Sequence, residues 1–130
     1  MPVLQIEHVA LNVVDPVAIA DWYVAHLGMR IVRRVEGPPH TRFVADSAGR
    51  TVLELYRNDA ARIPDYASMD PLELHLAFDS ADPDADRAAL VAAGATAHSE
   101  TRLPDGSRLV MLRDPWGLGL QLCDRITPLI

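Results

Sequence analysis

Leu72-Glu73-Leu74-His75-Leu76-Ala77-Phe78 is a largely apolar stretch with a histidine at its centre, and a similar stretch occurs earlier in the chain. That stretch is Ile6-Glu7-His8-Val9-Ala10-Leu11, whose histidine lies 67 positions before His75. The same shift carries Asp15-Pro16 onto Asp82-Pro83 and Leu53-Glu54-Leu55 onto Leu120-Gln121-Leu122. A fixed internal offset over most of a chain is typical of a duplicated structural unit. We therefore expect two similar units.

The first half of the chain predicts one helix and four strands in the order βαβββ. Residues 6–13 alternate between two faces and are predicted to form the first strand. Asp15 and Pro16 favour the start of a helix, and Gly28 favours its end. Three more strands are predicted at residues 29–35, 41–46 and 51–57.

The second half repeats this order. A strand at residues 72–79 precedes a helix from Asp82 to Gly94, and three strands follow at residues 95–102, 108–113 and 118–124. Residues 58–71 have no sustained periodicity and contain two prolines, so we expect them to link the units at 4–57 and 72–124. A unit of about 60 residues buries only ~60% of its extended surface, so we expect both units to share one core within a single domain, 1–130.

Composition excludes several functions. The net charge of −6 and the absence of a basic run longer than Arg33-Arg34 argue against nucleic-acid binding and favour a small-molecule partner. All 12 basic residues are arginine, so no lysine is available for Schiff-base chemistry.

Cys123 is the only cysteine, which fits a reducing compartment. The first residues have no basic segment, and no apolar run approaches ~18 residues, so we expect no export, no membrane span and a cytoplasmic location.

Four polar side chains occupy equivalent places in the two halves. His8 and Glu54 are 46 residues apart, as are His75 and Gln121, and all four lie on apolar strands. A single histidine on such a strand is more often a hydrogen-bonded core residue than a ligand. An unpaired buried carboxylate is harder to explain, because even a neutral polar group costs ~2–7 kcal/mol when it is buried without a partner.

One divalent metal ion accounts for all four groups together. Two imidazoles, one carboxylate and one amide oxygen are a plausible ligand set, and the metal charge makes a buried Glu54 tolerable. Four protein ligands leave positions open for substrate, which indicates catalysis or chelation and not a closed structural site. The alternative is a purely structural hydrogen-bond cluster.

Taken in order, Asp15-Pro16, Leu27-Gly28, Gly94 and Asp114-Pro115-Trp116-Gly117 resemble the glyoxalase/bleomycin resistance/extradiol dioxygenase superfamily, the vicinal oxygen chelate fold, over residues 4–124. The resemblance implies an α+β fold in which two βαβββ modules form a curled, eight-stranded mixed sheet around a central cavity. It also implies metal ligands on the first and fourth strands of each module, which are His8, Glu54, His75 and Gln121 in this sequence.

Gln121 departs from the most common pattern of this superfamily. In the glyoxalases and extradiol dioxygenases that it resembles, a glutamate stands there, whereas glutamine has no ionisable group and cannot act as a base. The epimerase branch uses two histidines, one glutamine and one glutamate, with the glutamine in the first module. The set in this sequence is similar, but its glutamate lies in the first module and its glutamine in the second.

The resemblance implies a metal-dependent isomerase, lyase or epimerase whose small oxygenated substrate chelates the ion. Glu54 or a water on the metal would take a proton from a C–H group next to a carbonyl. The metal is left open among Zn, Ni, Co, Mn and Fe. The alternatives are a metal-independent drug-binding protein of the bleomycin-resistance type and, third, an extradiol-type dioxygenase, which Gln121 disfavours.

Two further residues and the assembly complete these expectations. Tyr56 and Asn12 are predicted to lie on the same faces as the ligands and to contact substrate, with ordinary cavity lining as the alternative. We expect a homodimer, because a curled sheet with exposed strand edges can be covered by another module. The 14-residue segment 58–71 is long enough for the modules to pair within a chain or between chains.

Overall fold

A computed structural model describes all 130 residues, which divide into two compact units, Met1–Pro64 and Asp65–Ile130. The boundary between the units falls inside segment 58–71, where the sequence predicted a link. Each unit contains one α-helix and one four-stranded mixed sheet. The α+β class and the paired βαβββ order are confirmed, with the eight strands in two sheets of four.

The first unit consists of five elements. They are β1 (Val9–Asn12), α1 (Pro16–Leu27), β2 (Arg30–Arg34), β3 (Arg42–Ala45) and β4 (Val52–Tyr56). The strand order in the sheet is β1-β4-β3-β2. The first and fourth strands pair in parallel, and the other two pairings are antiparallel.

The second unit has the same topology after a short 3₁₀ turn at Tyr66–Ser68. Its elements are β5 (His75–Asp79), α2 (Pro83–Ala92), β6 (Thr96–Arg102), β7 (Arg108–Arg113) and β8 (Gly119–Asp124). The strand order is β5-β8-β7-β6, again with a parallel pairing between the first and last strands of the unit.

Both helices begin as the sequence predicted. The side chain of Asp15 accepts a hydrogen bond from the backbone N–H of Ala18, and that of Asp82 accepts one from Ala85. Each bond satisfies one of the N–H groups that the first turn of a helix leaves free. Gly28 ends α1 with a φ of +67°, a conformation that glycine adopts without steric cost. Neither helix has the length and apolar character needed to cross a membrane.

The duplication extends to the register of the strands. Val9 is paired with Leu53, and 67 residues later Leu76 is paired with Leu120. Each antiparallel hairpin also has a register shift in its first strand, between Ile31 and Arg33 in one unit and between Ala97 and Ser99 in the other. The two units therefore repeat both their element order and their hydrogen-bonding pattern.

One face of each sheet packs against the helix of its unit and forms the core. In the first unit this face includes Leu53, Leu55 and Val44, which are buried with Tyr23 of α1. In the second unit Val110, Leu112, Leu120 and Leu122 are buried, as is Leu90 of α2. Because side chains alternate along a strand, the residues between these positions lie on the opposite face. That opposite face carries the predicted ligands.

An ion-pair network joins α2 to its sheet. Arg108 of β7 contacts Asp84 of α2 at 2.9 Å and Glu100 of β6 at 2.7 Å. The hydrogen bonds from Arg108 lower the pKa of both carboxyl groups. These three groups lie on the helix side of the sheet, away from the face that carries the predicted ligands.

Two strands begin later than the sequence predicted. β1 begins at Val9 and not at residue 6, because its pairing with β4 begins at Val9 and Leu53. β5 begins at His75 and not at residue 72, because residues 70–73 form a turn. In that turn the N–H of Leu72 donates to the carboxylate of Asp70, and the N–H of Asp70 donates to Glu73. Leu72 is consequently exposed.

The 3₁₀ turn of the second unit is attached to the β7–β8 connection. Arg113 donates hydrogen bonds to the carbonyl oxygens of Tyr66, Met69 and Gly117. Gly117 has a φ of +97°, and a Cβ atom there would lie 2.5 Å from the Cα of Ala67. Glycine is therefore required at this position for its backbone conformation and for the close approach of the turn.

We expect Gly117→Ala to destabilise the protein more than Gly37→Ala. Gly37 also has a positive φ, but a Cβ there would meet nothing within 4 Å. The control should therefore cost only the conformational penalty of about 1–2 kcal/mol, whereas Gly117→Ala adds an overlap that costs about 1–3 kcal/mol more. Urea denaturation of both variants measures the difference, and equal losses would contradict the packing of Ala67 on Gly117.

Candidate metal and substrate site

In the first unit, two of the predicted ligands lie side by side on the face opposite the helix. Ala10 is paired with Glu54, and His8 precedes Ala10 by two residues, so His8 and Glu54 share that face. The Nε2 atom of His8 lies 4.0 Å from the Oε1 atom of Glu54. The two side chains are 32% and 24% exposed, so both are accessible to a ligand.

The imidazole of His8 is held by two neighbours. Its Nδ1 atom lies 2.9 Å from the carboxylate of Glu7, and its ring meets the ring of Phe43 edge to face at 5.8 Å. Phe43 is itself paired with Glu54 across the sheet. A carboxylate accepts hydrogen bonds, so a neutral His8 donates from Nδ1 and keeps the lone pair of Nε2 on the side of Glu54.

In the second unit, His75 and Gln121 occupy the equivalent places. His75 is paired with Gly119, and Gln121 follows two residues later on the same face. The Nδ1 atom of His75 lies 2.7 Å from the carbonyl oxygen of Pro71. A carbonyl oxygen can only accept, so Nδ1 carries the proton and Nε2 has the free lone pair. Metal-binding histidines usually hold their second nitrogen in this way.

Each unit therefore contributes two donor groups. We call His8 and Glu54 the first half-site, and His75 and Gln121 the second half-site. Neither unit contains a group of three or more histidine, cysteine, aspartate and glutamate side chains that could hold a metal ion. Two donors that each lie about 2.1 Å from an ion can be at most about 4.2 Å apart, and the 4.0 Å separation in the first half-site falls within this limit. The donor types also fit a divalent cation.

Cys123 lies beside the second half-site without being reactive. Its Sγ atom donates a weak hydrogen bond to Oε1 of Gln121 at 3.4 Å. The side chain is 6% exposed, and burial raises the pKa of its thiol. The thiolate is the reactive form of cysteine, so a raised pKa argues against a nucleophilic role.

Asn12 and Tyr56 differ in how their polar groups are used. The side chain of Asn12 accepts from the N–H of Asn58 at 2.9 Å and donates to its carbonyl oxygen at 2.9 Å, with longer bonds to Ala61 and Arg62. Asn12 therefore holds the loop that follows β4. Tyr56 shares the face of Glu54, and no protein group is hydrogen-bonded to its hydroxyl. Of the two residues predicted to contact substrate, Tyr56 is the one with a free polar group.

The sequence did not reveal the residues that hold the histidines. Phe43, Glu7 and Pro71 were not singled out, although Glu7 is adjacent to His8 in the chain. The role of Pro71 depends on the turn at residues 70–73, which begins in the predicted link and includes the first two residues of the strand predicted at 72–79. The other three histidines, His26, His40 and His98, are exposed.

The model of the Glyoxalase/Bleomycin resistance protein/Dioxygenase superfamily matches residues 5–122. The chain belongs to this superfamily. The matched range includes both half-sites and all eight strands except the last two residues of β8. The resemblance inferred from the order of the motifs is thus confirmed. No protein of curated function matches the sequence of this superfamily member.

Solved structures of the superfamily are similar over almost the whole chain. TnmS3, an antibiotic binding protein from Streptomyces sp. CB03234, is 24% identical with a TM-score of 0.72, over 95% of this chain and 97% of that chain. A superfamily member from Sphaerobacter thermophilus DSM 20745 is 20% identical with a TM-score of 0.72, over 95% and 98%. A glyoxalase family protein from Enterococcus faecalis is 27% identical with a TM-score of 0.68, over 92% and 97%. At these low identities, the first two show the shared fold alone.

We expect Asn12→Ala to lower the free energy of unfolding by about 1–3 kcal/mol, because the loop after β4 loses two hydrogen bonds, to the N–H and to the carbonyl oxygen of Asn58. Tyr56→Phe serves as the control, since it removes a hydroxyl with no protein partner and should change stability by less than about 0.5 kcal/mol. Urea denaturation measures both effects. A stable Asn12→Ala variant would show that the loop does not depend on Asn12 and would return this residue to the candidates for substrate contact.

Proposed function

We propose that this superfamily member is a metal-dependent isomerase or lyase acting on a small oxygenated substrate. In this proposal, the first half-site (His8 and Glu54) and the second half-site (His75 and Gln121) together hold one divalent ion. The observation that carries the proposal is that both histidines have Nδ1 bonded to an oxygen acceptor, which leaves Nε2 as the free donor atom in each half-site.

The donor set supports a catalytic ion more than a structural one. Structural zinc sites are usually closed by four cysteine or histidine ligands, whereas this set contains an amide and leaves positions for substrate oxygens. When bound, a divalent ion acts as a Lewis acid that stabilises negative charge on substrate oxygens. The ligand set is compatible with Zn, Ni, Co, Mn and Fe, because imidazole and carboxylate ligands suit all of them.

Glu54 is proposed as the proton acceptor. It is the only carboxylate of the four ligands, and Gln121 has no ionisable group with which to replace it. A carboxylate that is partly exposed beside the ligand face can take a proton from a C–H group next to a substrate carbonyl. Tyr56, on the same face with a free hydroxyl, is proposed to donate a hydrogen bond to the substrate.

Binding without chemistry is the second candidate function. It is favoured by the similarity to TnmS3, an antibiotic binding protein. A chain of this kind would bind its ligand equally well with and without a chelator. An extradiol-type dioxygenase is the third candidate, and the absence of a carboxylate at position 121 disfavours it, because those enzymes complete their iron site with a glutamate there.

Metal reconstitution and proton exchange test the proposed enzyme. After incubation with each of the five metals and removal of excess, elemental analysis should find about one ion per chain. A reconstituted protein should then exchange solvent deuterium into C–H groups next to the carbonyl of small α-hydroxycarbonyl compounds. Glu54→Gln should slow this exchange by about 10²- to 10⁴-fold.

Glu36→Gln is the matched control for the loss of one carboxylate, because the side chain of Glu36 is 77% exposed and belongs to neither half-site. It should leave metal content and exchange unchanged. Metal content well below one ion per chain with every metal would refute the metalloenzyme. Tight binding of an antibiotic that a chelator does not weaken would favour the second candidate instead.

We further propose that the protein is a homodimer. β1 and β5 are edge strands of their sheets, and an exposed edge invites pairing with another chain. Residues 1–7 before β1 are exposed and include Val3, Leu4 and Ile6, so this edge is continued by an apolar segment. A second copy of the chain is the expected partner, since closed twofold dimers are the most common assemblies.

Light scattering should therefore give the mass of a dimer, and a monomer would contradict this assembly. Mixing His8→Ala chains with His75→Ala chains then shows which half-sites share an ion. If half-sites of different chains combine, each mixed dimer regains one intact site and measurable metal binding. If half-sites of the same chain combine, no mixture regains any site. Mixing two batches of His8→Ala is the control and should restore nothing in either case.

A further inference from the structure

The two histidines differ in the kind of group that holds Nδ1. His8 is bonded to the carboxylate of Glu7, whose side chain is 89% exposed. His75 is bonded to the backbone carbonyl oxygen of Pro71, which can move only if the turn itself moves. The orientation of His75 thus depends on what keeps this turn in place.

The turn that contains Pro71 is held from within and from one end. Within it, the backbone N–H of Glu73 donates to the carbonyl oxygen of Asp70, and the side chains of both residues bond to backbone N–H groups. At its beginning, Arg113 donates to the carbonyl oxygen of Met69 at 2.8 Å. Pro71 itself is buried.

The turn rests on Gly119, the first residue of β8. A Cβ atom on Gly119 would lie 3.0 Å from the Cβ of His75, 3.1 Å from the carbonyl oxygen of Leu74 and 3.2 Å from the Cβ of Pro71. These separations are shorter than ordinary van der Waals contact. Gly119 does not have a positive φ, so glycine is needed here for space and not for backbone conformation.

The first unit has a side chain at the equivalent place. Val52 stands 67 residues before Gly119 and comes just before the first register pair, Val9 and Leu53, and residues 1–8 contain no turn. In the second unit, a glycine at this position accompanies a backbone acceptor for His75. In the first unit, a valine accompanies a side-chain acceptor for His8. Removing the side chain at position 119 is what admits the turn.

We infer that Gly119 is a positioning residue for His75. By lacking a side chain, it lets the Pro71 turn lie against β8, and the carbonyl oxygen of Pro71 then fixes the Nδ1–H tautomer of His75. The lone pair of Nε2 is thereby kept available for a ligand. That this ligand is a metal ion rests on the proposed function, whereas the tautomer does not require any ion.

The test is the tautomer of His75 in metal-free, ¹⁵N-labelled protein, read from the long-range ¹⁵N–¹H spectrum of its imidazole. At about pH 8, above the ordinary pKa of imidazole, the wild type should show His75 with a protonated Nδ1 and an unprotonated Nε2. In Gly119→Val the turn is displaced, and His75 should change to the Nε2–H tautomer that histidine favours in water. His8 should give the same signals in both proteins.

Two variants keep this test interpretable. Gly119→Ala makes a smaller overlap and should give a mixture of tautomers for His75 even if Gly119→Val does not fold. Ala97→Val adds two methyl groups at an exposed position of β6 in the same sheet and should leave His75 unchanged. An unaltered Nδ1–H tautomer in Gly119→Ala, or an Nε2–H tautomer in the wild type, would overturn the role of Gly119.

Calorimetry with Zn²⁺ separates this inference from the proposed function. Loss of a residue that orients a metal ligand typically weakens affinity about 10- to 100-fold, and we expect this for Gly119→Ala but not for Ala97→Val. If the tautomer changes as described but the wild type binds neither Zn²⁺ nor another divalent ion, the metalloenzyme fails and the role of Gly119 stands. If the wild type binds Zn²⁺ and the tautomer does not change, the role of Gly119 fails and the metal site stands.

Discussion

Parallel pairing of the first and last strands of each unit determines which side chains can meet. The register joins Val9 to Leu53 in one unit and Leu76 to Leu120 in the other. Because side chains alternate, a slip of one residue would turn Glu54 or Gln121 towards the helix and bring leucines to the ligand face. The buried leucines on the helix side oppose such a slip, since each would lose about 1.5–3 kcal/mol of burial. Packing on one face of the sheet thus fixes the chemistry on the other.

Duplication of this arrangement yields two half-sites that are similar in plan but not in detail. Each presents a histidine whose Nε2 is free and a second donor on the neighbouring strand. The first half-site has the only carboxylate, Glu54, and its histidine is bonded to an exposed side chain, Glu7. The second has a neutral amide, and His75 is bonded to the backbone. In the proposed enzyme, proton transfer therefore belongs to the first half-site, and the second orients its ligand through the backbone.

Most of the fold was predictable from the sequence because the relevant signals are local. Asp15 and Asp82 mark the starts of the two helices. Alternation along residues 51–57 places Glu54 on the face of the strand opposite to Leu53 and Leu55. The errors arose where tertiary pairing or turn chemistry overrides alternation. β1 begins only at Val9, where its pairing with β4 begins, and residues 72 and 73 belong to a turn that starts at Asp70 and not to the strand predicted at 72–79. The acceptor for Nδ1 of His75, the carbonyl oxygen of Pro71, was not predicted because it lies in that turn. Asn12 matched the pattern of a ligand-face residue, but its amide is used by the loop after β4, which no sequence period indicates.

X-ray absorption at the metal edge of the reconstituted protein tests the central claim most directly. We expect an ion with two imidazole ligands and the remaining donors all oxygen, because His8 and His75 offer Nε2 while Glu54 and Gln121 offer oxygen atoms. His75→Ala should reduce the imidazole signal to one ring. A spectrum with a sulfur ligand from Cys123, or one without imidazole scattering, would contradict the assignment of the two half-sites.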